Sequence, residues 1–276
     1  MTPLLDIRQL TMDFGGLRAL EALDLAVHPA QTVALIGPNG AGKTTLFNCI
    51  TGIYRPTAGE ARLQAPDGRS TSLNGRSTSL NGLKPNQVTA LGICRTFQNI
   101  RLFGHMSALE NVLIGRHCRT RAGIAGAILC NRRTRDEERQ AADDSYRLLT
   151  KFGLARHAND PANSLPYGAQ RRLEIARAMA TEPRLLLLDE PAAGMNALET
   201  QALDRMIVQL REEEGVAILL IEHDMRLVMS LAQRICVVDY GKKIAEGTPA
   251  EVRRNPAVIR AYLGEDESME THAQDR

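Results

Sequence analysis

Thr32-Val33-Ala34-Leu35-Ile36 runs directly into Gly37-Pro38-Asn39-Gly40-Ala41-Gly42-Lys43-Thr44-Thr45. The first five residues have the length and apolar character of a buried strand, and the next nine fit the pattern G-x-x-x-x-G-K-[ST]. Only small residues make so tight a turn. A helix opening at Lys43 would aim its free N–H groups and the positive end of its dipole into that turn. A polyphosphate fits there. The glycines let the backbone amides of 37–42 wrap a β-phosphate, Lys43 reaches the β- and γ-phosphates as a point charge, and the Thr44 hydroxyl can ligate Mg²⁺. Residues Gly37 through Thr45 are therefore candidate nucleotide-binding residues. A lone match of this kind is also an ordinary glycine-rich turn; the strand before it and the helix after it favour the phosphate reading.

Working outward, 276 residues with 43% hydrophobic and 24% charged side chains are ample for one large domain or a core plus a lobe. A formal charge of +2, with bases and acids interspersed, is too mild to argue for nucleic acid, and no nucleic-acid partner is expected. No apolar stretch approaches the roughly 20 residues that cross a bilayer. Leu185 to Leu188 and Val216 to Ile221 have strand length only. The start, Met1-Thr2-Pro3-Leu4-Leu5-Asp6, lacks the basic opening and apolar centre of a signal peptide, so the chain is expected to stay where it is made. Cys49, Cys94, Cys118, Cys130 and Cys236 show no C-x-x-C spacing and suit reduced thiols in a cytosol, each serving as a small apolar residue.

Alternating apolar positions over 4–10 and 20–27 predict paired strands in a small antiparallel layer beside the nucleotide. Residues 68–74 read Gly-Arg-Ser-Thr-Ser-Leu-Asn, and 75–81 repeat the same seven letters before Gly82. The copy is polar and turn-rich, so it is expected as an exposed hairpin loop lengthened by duplication. From about Ser107 to Ala158, residues such as Leu109, Val112, Leu113, Tyr146, Leu148, Leu149 and Phe152 fall mostly three and four apart and predict a helical lobe. Arg132 to Arg139 within it reads as a solvated face or, beside a membrane, as a contact with anionic lipid. After Pro161 helix and strand patterns alternate again, giving a second βαβ half. The tail from Glu265 to Arg276 is polar and acidic-rich and is expected to fray.

Leu185-Leu186-Leu187-Leu188-Asp189-Glu190 is an apolar strand ending in two carboxylates. A strand buried on both faces holds acids only at its end, where a parallel sheet accepts ligands. Asp189 would hold Mg²⁺ and Glu190 would accept a proton from attacking water. The same letters alone could be a helix cap after a strand; downstream of a phosphate loop they favour catalysis.

Four further segments follow in an order that resembles ATP-binding cassette proteins across nearly the whole chain. Arg95-Thr96-Phe97-Gln98 is similar to the Q-loop, Leu165-Pro166-Tyr167-Gly168-Ala169-Gln170-Arg171-Arg172 to the signature, Gly194-Met195-Asn196 to the D-loop, and Ile221-Glu222-His223-Asp224 to the switch histidine segment. The resemblance implies an α/β fold, a P-loop NTPase (RecA-like) core with an antiparallel β layer and a helical lobe. It also implies a single domain: 1–100 and 165–245 form the core with its β layer, 101–164 the lobe, and 246–276 a C-terminal extension.

The resemblance further implies a working pair of cassettes, two ATP molecules being sandwiched between the phosphate loop of one and the signature of the other. Gly168 would then open a helix toward the partner's γ-phosphate, with Tyr167 beside it as a further candidate contact to that nucleotide. Gln98 would reach Mg²⁺ or water, and His223 would hold the γ-phosphate and hydrolytic water. Phe14 stands where the family has an aromatic that stacks on adenine. A structural histidine and a core or surface phenylalanine are the plainer readings of those two residues. The signature departs from Leu-Ser-Gly-Gly-Gln: Pro166 replaces the serine, Tyr167 the first glycine and Ala169 the glutamine, and Asn196 replaces the D-loop aspartate.

Within the family the likeness is to the larger cassette of bacterial branched-chain amino-acid importers. It is carried by Arg95-Thr96-Phe97-Gln98 with Arg101-Leu102-Phe103, the Tyr-Gly signature with Arg171 to Arg177, Leu220 to Met225, and the ending Val258 to Glu265. That likeness implies ATP and Mg²⁺ as cofactors and a peripheral place on the cytoplasmic face of the inner membrane. It implies as partners two permease subunits, a second and different ABC ATPase, and a periplasmic or extracellular substrate-binding protein acting through the permease. Rival readings are a lipopolysaccharide-type exporter ATPase, which shares the Tyr-Leu-Gly-Glu ending, and a soluble cassette acting on ribosomes or DNA. A third is a nucleotide-binding regulator without turnover, which Glu190 and His223 disfavour.

Overall fold

The computed structural model of the protein describes residues 2–65, 77–119 and 132–262. Three strands with every residue buried, β3 (Thr32–Ile36), β7 (Leu185–Asp189) and β8 (Ala217–Ile221), form the heart of a six-stranded sheet. Its order is β10-β9-β3-β8-β7-β6, with β6 (Ile93–Arg95) and β9 (Arg234–Asp239) parallel to the central three and β10 (Lys242–Gly247) antiparallel at one edge. Uniform burial follows from covering both faces, which is why these strands read as unbroken apolar runs. The two-residue alternation survives inside them. Val33, Leu35, Leu185, Leu187, Leu219 and Ile221 face one cluster, while Leu186, Leu188, Ile218 and Leu220 face another.

On the first face lies α1 (Lys43–Ile50), through Leu46, Phe47 and Ile50, together with a second sheet. That sheet is antiparallel in the order β2-β1-β4-β5, built from β1 (Leu5–Phe14), β2 (Leu17–Val27), β4 (Ala58–Gln64) and β5 (Ser77–Ser79). The expected strands over 4–10 and 20–27 are both present and longer. β5 comes from the second copy of the repeat, which corrects the expectation of an exposed loop throughout. Its three serine and threonine residues are exposed, but Leu80 after them is 1% exposed. The Asn81 side chain accepts from Ala61 N at 3.0 Å and donates to Gly59 O at 2.9 Å. Polar composition concealed an edge strand fixed at one end by a leucine and an amide. The first copy, with Gly75 and Arg76, lies outside the described residues.

On the other face pack α5 (Tyr167–Met179) and α6 (Ala197–Glu214), with α3 (Ala108–Arg116) and α4 (Arg132–Lys151) beyond; α2 (Pro85–Ala90) precedes β6. Val112, Leu149 and Phe152 join Leu173 and Leu188 in one cluster, so the helical region and the sheet share a continuous core. The predicted periodicity holds there at Leu109, Val112, Leu148, Leu149 and Phe152, but Leu113 is half-buried outside that cluster and Tyr146 is 49% exposed. Arg135, Asp136, Glu138 and Arg139 are exposed, as a solvated face requires. The helices α7 (Met225–Leu231), α8 (Pro249–Arg253) and 256–262 close the chain around Ile36, Val237 and Val258. Burial pushes the thiols of Cys49 and Cys236 up to about 12, which fits the apolar reading; Cys118 is exposed and does not. Cys130 and the tail from 263 lie outside the described residues.

Candidate nucleotide site

Because β3, β8, β7 and β6 are parallel, their carboxyl ends share one edge, and each delivers a motif there. After β3 the chain turns through Gly37 (φ 153°), Gly40 (φ 78°) and Gly42 (φ 99°) before α1 begins at Lys43. A Cβ at Gly37 would lie 1.9 Å from Val238 O, and one at Gly42 2.5 Å from Ala19 O. Glycine is thus required both by the left-handed backbone and by close approach of β9 and β2. Lys43 is buried, its Nζ donating to Gly37 O at 2.6 Å and Pro38 O at 2.8 Å, which centres the ammonium beneath the turn. Thr44 is exposed and Thr45 half-buried at the mouth of α1. A glycine cradle, a helix N-terminus and a centred ammonium fit a nucleotide polyphosphate.

Asp189 ends β7, 4% exposed, and Oδ2 accepts from Arg95 Nη2 at 2.6 Å. Arg95 also donates to Asn48 Oδ1 at 2.6 Å, and its guanidinium lies between the rings of Phe47 and Phe97, 5.3 and 5.1 Å from their centroids. Glu190 follows in the left-handed region, φ 46°, uncommon for a residue with a Cβ. That conformation turns its carboxylate out of the strand line, where Gln98 Nε2 donates to Oε2 at 2.7 Å and His223 Nε2 meets Oε1 at 3.1 Å. Gln98, Glu190 and His223, brought from after β6, β7 and β8, therefore converge. Glu222 supports them: 4% exposed, it accepts from Ala192 N at 2.9 Å and from His223 N at 3.1 Å. Burial raises the Glu222 carboxyl above the usual range.

Tyr167 and Gly168 make no direct bond to these three side chains and lie at the start of α5. The helix begins at Tyr167, one residue before the expected Gly168, with Pro166 at the N-cap. Tyr167 is 43% exposed and its hydroxyl donates to Ala193 O at 2.9 Å, in the turn that leads to Asn196. A Cβ at Gly168 would meet Glu199 Oε1 at 2.4 Å. Asn196 caps α6, its Oδ1 accepting from Leu198 N and Glu199 N at 3.0 Å each. Asparagine caps as well as aspartate does, so that departure keeps the turn and drops only the charge. Phe14, 41% exposed at the end of β1, packs edge-on against Tyr54 with centroids 5.1 Å apart. It is thus a surface aromatic, and a core role is excluded.

Reading the sequence residue by residue missed the parts played by Arg95, Tyr54 and Asn111. Asn111 is fully buried and holds the loop after Gln98, its Nδ2 donating to Phe103 O at 3.1 Å and Ser107 O at 3.0 Å. The available signal was an arginine or amide inside an apolar pattern, which demands a partner without naming it.

The family model described as ABC transporter matches residues 20–193, and that described as branched-chain amino acid ATP-binding cassette transporter matches 242–268. The high-affinity branched-chain amino acid transport ATP-binding protein LivG of Escherichia coli (strain K12) is 48% identical over 95% of this chain and 98% of its own. Its counterpart BraF of Pseudomonas aeruginosa is 47% identical over the same shares, 95% and 98%. A crystal structure of the ADP conformation of an ATP-binding cassette of an ABC transporter superposes with a TM-score of 0.78 at 25% identity, covering 96% of this chain and 100% of that one.

Proposed function

The chain belongs to the ABC transporter family as an ATP-binding, ATP-hydrolysing subunit, and we propose that it powers import of branched-chain or related hydrophobic amino acids. The observation that carries the catalytic half of this reading is the convergence of Gln98 and His223 on the two oxygens of Glu190 beside the phosphate loop. The substrate half is supported by relatives that carry that transport in their names and by the match over 242–268, which takes in Tyr262-Leu263-Gly264-Glu265. That ending is the feature the exporter reading rested on.

In this account Gly37 to Thr45 bind the ATP phosphates and Phe14 stacks on adenine. Glu190 takes the proton from attacking water, while Gln98 and His223 orient that water and the γ-phosphate. Thr44, Asp189 and Gln98 would hold Mg²⁺, which neutralises charge on the β- and γ-phosphate oxygens. Among the described residues there is no group of three or more His, Cys, Asp or Glu that could hold a metal ion. Tyr167 and Gly168 serve the ATP of a second, different cassette, and residues 101–164 pass the closing motion to two permease subunits fed by a substrate-binding protein. No described helix is long and apolar enough to cross a membrane. A subunit that drives a permease in this way would sit peripherally on the cytoplasmic face of the inner membrane.

The test is purification from membranes with its attached subunits, reconstitution into vesicles, and uptake of labelled leucine, isoleucine and valine. ATP-dependent uptake, abolished by Lys43→Ala, is expected. Co-purification with an exporter's permease, or ATP-dependent movement of lipopolysaccharide instead, contradicts the reading.

A further inference from the structure

Arg171 and Glu174 are one helical turn apart on α5, and their side chains are 0% and 2% exposed. Two charges out of water need hydrogen-bonding partners beyond each other. Here the partner is backbone. Arg171 Nη1 donates to Phe97 O at 2.7 Å and to Glu174 at 2.9 Å; Nη2 donates to Gln98 O at 2.7 Å and to the Tyr167 hydroxyl at 3.3 Å. Glu174 Oε1 accepts from Phe97 N at 3.4 Å and from Arg101 N at 3.3 Å. The guanidinium fork spans two successive carbonyls, and the carboxylate takes amides on either side of them. The whole turn that carries Gln98 is thereby fastened to α5 by charge-assisted bonds out of water.

Two connections leave this clamp. One runs through Gln98 Nε2 to Glu190 Oε2. The other runs through the Tyr167 hydroxyl to Ala193 O, and so from the signature helix to the turn before Asn196. We propose that Arg171, paired with Glu174, is a positioning residue that sets Gln98 against Glu190, so that a shift of the signature helix alters hydrolysis at this chain's own nucleotide site. A methylene-scale shift of α5 carries the carbonyls of Phe97 and Gln98 with it, because lysine-like sliding is denied to a planar fork. The proposal rests on the roles given above to Gln98 and Glu190.

The test uses the assembled transporter with changes in this chain only: Arg171→Lys, Gln98→Ala, the double variant and Glu190→Gln. Arg171→Lys keeps the charge beside Glu174 but cannot span both carbonyls. It is expected to lower kcat about 10- to 100-fold with KM for ATP unchanged, as a displacement of about 1 Å does. In the Gln98→Ala background the same change should cost nothing further, because the side chain it positions is gone. Losses that multiply in the double variant, or a KM that rises in step, overturn the proposal. Inactive Glu190→Gln with Arg171→Lys at the wild-type rate overturns the clamp alone, whereas wild-type turnover in Glu190→Gln overturns the site assignment and the clamp with it. Should Arg171→Lys fail to fold, Glu174→Gln, which keeps an acceptor oxygen but drops the charge, completes the same cycle.

Discussion

Glu190 shows how one backbone angle can place a candidate catalytic group: a carboxylate at the end of a fully buried strand would point into the sheet, and φ 46° swings it to Gln98 and His223 instead. The strain, of order 1–3 kcal/mol, is held by backbone bonds such as Glu190 N to Ile221 O at 2.9 Å. Lys43→Ala is expected to weaken ATP binding itself, measured by nucleotide titration, since the ammonium lies at the centre of the phosphate turn. Glu222 gives a pH prediction. Its carboxyl is raised in the folded chain, so folding holds a proton that the unfolded chain releases. That contribution is complete below the ordinary glutamate value and is lost as pH rises through the raised one. Urea midpoints should therefore show wild type gaining on Glu222→Gln as pH falls through that window; a difference independent of pH contradicts this. Arg171→Met strands the Glu174 carboxylate in the core and should cost about 3 to 5 kcal/mol in unfolding free energy. Arg171→Met with Glu174→Met should recover only part of it, because the carbonyls of Phe97 and Gln98 and the amides of Phe97 and Arg101 then lose their partners.

At the scale of elements, the fully buried strands β3, β7 and β8 were legible because an apolar run bounded by a glycine turn or a carboxylate pair has few other readings. Caps were legible in principle too: Ser107 with Glu110 and Thr248 with Glu251 form the reciprocal bonds that their spacing predicts. What stayed hidden was long-range partnership. Nothing local says that Arg95 will lie between Phe47 and Phe97, or that Leu80 in a serine-rich repeat will enter the core. The repeat carries its own test. Deleting 68–74 or 75–81 yields the same sequence, so the remaining copy supplies Ser-Thr-Ser for β5, the buried leucine and the bonded asparagine. Only loop length changes, which costs on the order of 0.6 kcal/mol per doubling. The deletion should leave melting temperature and ATPase rate close to wild type. A sharp fall in either would show that the two copies are not interchangeable.

For the whole molecule, one edge of a parallel sheet gathers a phosphate loop, a carboxylate pair, a glutamine and a histidine, while Tyr167 and Gly168 open α5 and are proposed to serve a partner. Pro166 and Ala169 withhold the serine hydroxyl and glutamine amide of the usual signature, so the chain is expected to pair with a different, related cassette. Alone it should hydrolyse ATP slowly and assemble poorly; a stable homodimer driving full, substrate-stimulated transport contradicts that expectation. The central claim is that hydrolysis at Glu190 drives uptake. It is met most directly by steady-state phosphate release from the reconstituted transporter carrying Glu190→Gln in this chain. The account predicts retained ATP binding with a rate from this site lowered about 10²- to 10⁴-fold, the usual worth of a general base. Phosphate release and amino-acid uptake at the wild-type rate would contradict it.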